Sequence, residues 1–272
     1  MARKYIPNRR TRRTNRNPSS TLLALLMLIG ATIIAGGFAY LYMKSSNREV
    51  LDVATLCPKR GPLGHLAILI DLTDPASMTQ MRFARAAIEK QIESVQVGTM
   101  ISIGTVTPDE GRREGALLMV CKPPSGADAD RLTENPKIIE EKYQVAFVQP
   151  LAEMLTKTLT ISEASSSPIM ENLQEFLSRI PDFGEVSNQR LVIFSNLSQH
   201  SDVLSFYRGE DWKAFEENGG LSKLARNLSN TEVVLLRLPE PSNQTEILED
   251  FWARYFDVQG AKSVDPIVVG EY

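Results

Sequence analysis

The sequence predicts an open, mostly parallel α/β sheet with helices on both faces, set behind one transmembrane helix. Three observations carry that reading. An uncharged apolar run lies near the start of the chain. Short apolar runs of strand length then alternate with longer stretches of helical periodicity. Breaker-rich loops separate them.

The apolar run, residues 21–43, reads TLLALLMLIGATIIAGGFAYLYM. A helix crossing a ~30 Å hydrocarbon core needs ~20 such residues. Tyr40 and Tyr42 stand at one end, where aromatic rings favour the headgroup zone. A cleaved signal peptide has a shorter apolar region and a small-x-small cleavage site, so the run reads as a retained anchor. Residues 1–20 read as a disordered basic tail. Seven of the 30 basic residues lie in positions 1–43 with no acid beside them, leaving 23 basic against 33 acidic beyond, a net of −10. The positive-inside rule puts such a tail in the cytoplasm and the rest of the chain across the membrane, in the periplasm of a bacterium. An acidic domain is repelled by polyphosphate, which argues against nucleic acid as its partner. The tail alone is suited to nucleic acid or anionic lipid.

Residues 44–64 read as a linker, dense in breakers from Cys57 to Gly64. The domain then runs from 65 to 272. Strands are expected over 65–71, 99–106, 116–121, 190–195 and 231–238. Helical spacing is present over 78–92, from Pro136, over 147–159, 169–180, 212–227 with a break at Gly219-Gly220, and 246–256. The short connection between the second and third strands suits an antiparallel edge hairpin. No element is assigned after the last helix. Trp252, Tyr255 and Phe256 read as core packing.

Ligands of open α/β sheets bind outside the carboxyl ends of the strands. Three oxygen-rich loops are expected there: Asp71-Leu72-Thr73-Asp74-Pro75, Ser165-Ser166-Ser167-Pro168 and Ser195-Asn196-Leu197-Ser198. Oxygen is the ligand type of hard cations. In order and character these loops resemble the von Willebrand factor A (vWA) family over roughly residues 65–256. That family carries D-x-S-x-S after its first strand, a Thr before a later helix and an Asp after the next buried strand. Together they form a metal-ion-dependent adhesion site. The resemblance places Asp71 and Thr73 at the first two motif positions, Ser167 at the Thr position and Asn196 at the Asp position. It implies Mg²⁺ or Mn²⁺ held by Asp71, Thr73 and Ser167. It also implies a protein partner on the face formed by Asp71, Thr73, Asp74, Ser167 and Asn196. The site is degenerate, because Pro75 replaces a hydroxyl and Asn196 a carboxylate. A partner's carboxylate would complete it. Without metal, Asp71 and Thr73 would cap the following helix.

Cys57 and Cys121 stand at the opposite end of the expected sheet. An oxidising compartment would permit a bridge worth ~4 kcal/mol in the chain-entropy model, and otherwise they are two buried thiols. His65 opens a strand away from the loops, and His200 reads as an exposed loop residue. Asn196, Asn227 and Asn243 match the N-glycosylation pattern, which matters only in a secretory pathway. Nucleotide-binding glycine loops and the G-x-S-x-G elbow are absent. The expected role is therefore a membrane-anchored binding module and not an enzyme. The alternative is a metal-dependent phosphoryl hydrolase using Asp71.

Overall fold

The computed structural model describes residues 18–46, 50–109, 118–130, 132–159, 164–239 and 245–269. Residues 1–17 of the expected basic tail, the first two residues of the expected third strand and Asn243 lie outside them, while residues 18–20, read as part of the disordered tail, are helical. The chain divides into two compact units, one up to Arg48 and one from Glu49.

The first unit is helix α1, Pro18–Ser46. Its Leu22–Met43 stretch is long and apolar enough to cross a membrane, with a mean hydropathy of 2.4. Apolar side chains surround it on all sides and are exposed, as suits a helix whose surroundings are themselves apolar.

The second unit is built on a six-stranded sheet in the order β3-β2-β1-β4-β5-β6. Its strands are β1 (Gly64–Ile70), β2 (Thr99–Thr105), β3 (Leu118–Cys121), β4 (Gln189–Ser195), β5 (Thr231–Arg237) and β6 (Ser263–Val268). All neighbours pair in parallel except β2 and β3, the expected edge hairpin. β1 is buried at every residue because its alternating side chains face two separate cores. Ala67 and Leu69 join Leu191, Ile193, Val233 and Leu235 on one face. Leu66, Ile68 and Ile70 join Val192, Phe194, Val234 and Leu236 on the other.

Helices cover both faces. α2 (Met78–Ser94) buries Met81, Ala84, Ile88 and Ile92 against the second core. Its start is set by a reciprocal capping box. Ser77 Oγ accepts from Gln80 N–H at 3.2 Å, and Gln80 Oε1 accepts from Ser77 N–H at 2.8 Å. Asp71 and Thr73 therefore do not cap this helix. α3 (Pro136–Tyr143) and α4 (Gln149–Thr158) are not separate helices but run together through a π-helical turn, Gln144–Val148. Pro150 has no N–H for the carbonyl four residues back, and the widened turn just ahead of it absorbs that loss. α5 (Ile169–Arg179), the short α6 (Trp212–Glu217) and α7 (Gly220–Leu224), and α8 (Thr245–Asp257) cover the first core. Trp252, Tyr255 and Phe256 are fully buried there. Gly104 lets β2 approach α5: a Cβ at that position would stand 2.8 Å from the Phe176 ring.

Two features differ from expectation. β6 follows the last helix and contains Asp265-Pro266. Proline lacks a donor, so such a strand is confined to the sheet edge, which is where β6 lies. The stretch read as a linker is folded from Val50 onward. Leu51 bridges Pro58, and Cys121 N–H donates to Thr55 O at 2.7 Å. Cys57 and Cys121 are joined in a disulfide that ties this stretch to β3.

Candidate functional site

The carboxyl ends of β1 and β4 bring the three expected loops together. Asp71 follows β1 directly and is 3% exposed. Its Oδ1 accepts from Thr73 N–H at 3.1 Å and from Thr73 Oγ1 at 2.7 Å. Its Oδ2 accepts from Ser195 Oγ at 2.6 Å and from Ser167 Oγ at 3.2 Å. One buried carboxylate thus ties all three loops with four donors. Burial pushes the Asp71 carboxyl above its ordinary value, and the donors from Ser195, Thr73 and Ser167 offset only part of that.

A second layer lies toward the surface. Asn196 Nδ2 donates to Asp74 Oδ2 at 2.8 Å, and Asn196 Oδ1 accepts from Ser198 N–H at 3.0 Å. Tyr207 OH reaches both Asp74 oxygens at 3.4 Å. Ser167 and His200 exchange backbone hydrogen bonds of 3.1 and 2.8 Å, which locks the second loop to the third. Between these groups is a cleft of about 350 Å³ lined by Thr73, Asp74, the 164–167 loop, His200 and Tyr207.

The third loop has an unusual backbone. Leu197 is fully buried at φ +66°, a left-handed conformation that costs a residue with a Cβ about 1–3 kcal/mol. Three bonds hold it. Leu197 N–H donates to Ser195 Oγ at 2.7 Å, Gln199 N–H donates to Leu197 O at 3.0 Å, and the Trp252 indole N–H of α8 donates to that same carbonyl at 2.9 Å.

The sequence-predicted residues Asp71, Thr73, Asp74, Ser167 and Asn196 therefore meet at one place. Sequence reasoning missed Gln199 and Tyr207, and it placed Ser195 in the third loop without a role of its own. Ser195 is the last residue of β4, and its hydroxyl turns inward to the Asp71 carboxylate. Gln199 is fully buried, and its Oε1 accepts from Met170 N–H at 3.0 Å, serving the uncapped start of α5. Tyr207 lies in the long connection after β4, which no pattern singled out. His200 is not the exposed residue expected: it is half-buried, with Nδ1 2.7 Å from Ser205 Oγ and its ring edge-on to Tyr207. Asn196 is 5% exposed with its amide engaged, so that glycosylation pattern has no accessible acceptor.

The donor set does not match a hard-cation site. Both Asp71 oxygens already accept two hydrogen bonds each. Asn196 presents an N–H, not an oxygen, toward Asp74. Pro75 brings no oxygen. Among the described residues no three His, Cys, Asp or Glu side chains converge as a metal set.

A second cavity, about 320 Å³, lies at the opposite, amino ends of the strands. His65 lies at its edge, 2% exposed, with no partner for either ring nitrogen among the described residues. Burial pushes its pKa down. The charged groups around it are paired internally: Glu232 receives Arg190 at 3.2 Å and Lys262 at 2.8 Å.

The strand order, the antiparallel edge at β3 and the polar loops beyond β1 and β4 make an open α/β domain consistent with a vWA/Rossmann-like fold, preceded in the chain by an apolar helix of membrane-spanning length. No protein-family model matches the sequence, and no curated protein matches it. Among solved structures the chain is similar to an aerotolerance-related membrane protein from Bacteroides fragilis NCTC 9343, solved with multiple mutations to serines. The identity is 11% over 75% of this chain and 90% of that one, with a TM-score of 0.39. At that level the likeness transfers neither activity nor partner.

Proposed function

We propose that this chain is a membrane-anchored, vWA-like binding module whose loop face engages another protein and so helps assemble or regulate a membrane-associated complex. One observation carries the reading. Three loops from distant parts of the chain are fastened by buried side chains into a single surface, with an open cleft at its centre. A pre-formed surface binds with little ordering cost, which is what recognition needs. Enclosure of Asp71 supports a non-catalytic role, since an attacking carboxylate must reach its substrate. The same enclosure supports recognition without Mg²⁺ or Mn²⁺. The seven basic residues ahead of the span support a cytoplasmic tail and a domain on the far side of the membrane, the periplasm in a bacterium.

The test is photocrosslinking in native membranes with a crosslinking amino acid at Ser165 or Tyr207, and at Asn188 on the opposite end as control. A discrete adduct from the first two positions and none from the third is expected. Equal adducts at all three, or none at any, would sink the assignment of this face.

A further inference from the structure

We infer that the loop cleft takes a cationic side chain, an arginine or lysine presented by the protein partner, and that it does so without a metal ion. The inference rests on the loop face being the binding face, and it specifies the chemistry of what enters it.

The charge of the cleft decides the sign of its ligand. In a metal-bridged site the cation sits in the protein and the partner supplies the carboxylate. Here Asp71 is closed off below by four donors, and Asn196 spends its amide N–H on Asp74. Among the described residues that line the cleft, Asp74 is the charged group and none is lysine or arginine. Arg208, in the adjoining turn, is bridged to Glu210 at 2.7 Å. The remaining lining is acceptor-rich: the hydroxyls of Thr73, Ser165, Ser166 and Ser167.

Tyr207 is a second feature of the cleft, its hydroxyl 3.4 Å from both Asp74 oxygens. It is 60% exposed although it sits beside the carboxylate. Its ring meets the His200 ring in a T-shaped contact at 5.3 Å. A carboxylate beside an exposed aromatic ring can hold a guanidinium or ammonium through a charge-assisted hydrogen bond joined to a cation–π contact. A cleft of about 350 Å³ is ample for one such side chain and too confined for a folded element. The acidic balance of the domain, −10 beyond residue 43, steers a basic partner surface toward it.

The experiment is ligand-observed saturation-transfer NMR on the full-length chain in lipid nanodiscs. The probes are capped tripeptides Gly-Xaa-Gly with Xaa as Arg, Lys, Gln or Glu, each with EDTA and with Mg²⁺. Arg and Lys peptides are expected to bind, and Gln and Glu peptides not, with no effect of the metal. Asp74→Asn is expected to weaken Arg-peptide binding about tenfold, and Tyr207→Ala by less. Near-equal binding of Arg and Gln peptides overturns the inference, as does a Glu peptide that binds only with Mg²⁺. No binding by any peptide also overturns it. Crosslinking at Ser165 or Tyr207 reads the loop face separately. An adduct there with an indifferent or Glu-selective cleft removes the cation and leaves the face. Arg-selective binding without an adduct removes the partner and leaves the cleft chemistry.

Discussion

Asp71 carries the largest electrostatic consequence of any single residue in the site. Its carboxyl is buried, and burial outweighs its hydrogen bonds, so its folded pKa lies above the ordinary 3.8. The sign of the linkage follows. An acid with a raised folded pKa contributes stability that is fully present below its unfolded pKa and is lost as pH rises through the folded value. Asp71→Asn removes the titration without changing the size of the side chain. The stability margin of the wild type over this variant is therefore expected to narrow as pH is raised from about 4 toward 7. Urea unfolding of the domain from Glu49 at several pH values measures it. A margin that widens with pH would mean that the four donors dominate and hold the carboxyl below its ordinary range.

At the scale of elements, the site depends on what lies beneath it. The loop after β4 carries a buried Leu197 at positive φ, and the bond that holds the Leu197 carbonyl from outside that loop comes from the Trp252 indole of α8. Trp252→Phe keeps most of the buried ring but deletes the donor. It is expected to lower stability by about 1–3 kcal/mol and to speed amide exchange across residues 196–200 more than in β4 itself. Hydrogen–deuterium exchange with peptide resolution reads both, and uniform acceleration would show that the loop has no special dependence on α8. This dependence was not legible in the sequence. The apolar runs of β1, β4 and β5 were, because a strand buried on both faces has few polar residues to confuse it. The five proposed loop residues were legible because Asp71, Thr73, Asp74 and Asn196 follow those runs and Ser167 precedes the helical run of α5. The role of Ser195 was not, nor were Gln199 and Tyr207 at all, because those roles come from contacts across the fold and not from a local pattern. β6 was hidden by Pro266, which only an edge position tolerates.

At the scale of the whole molecule, the disulfide and the membrane helix make linked statements about compartment. Cys57 and Cys121 are joined, and they fasten the stretch that leads into the domain to the edge strand β3. Such bonds persist in oxidising compartments and are rare where thioredoxin and glutathione act. The proposed topology, read from the basic block ahead of the apolar helix, would also put the domain outside the cytoplasm. If both hold, bond formation must depend on the helix that carries the domain across. In the full-length chain, a thiol-reactive polyethylene glycol maleimide added to denatured protein is expected to shift nothing until a reductant is supplied, and then to add two units. In a chain lacking residues 1–46, which keeps the domain in the cytoplasm, both cysteines are expected to react without reductant. That chain is also expected to lose about 2–4 kcal/mol of stability, the usual worth of a bridge across a loop this long. Immediate labelling of the full-length chain would place the domain on the cytoplasmic side and reverse the topology.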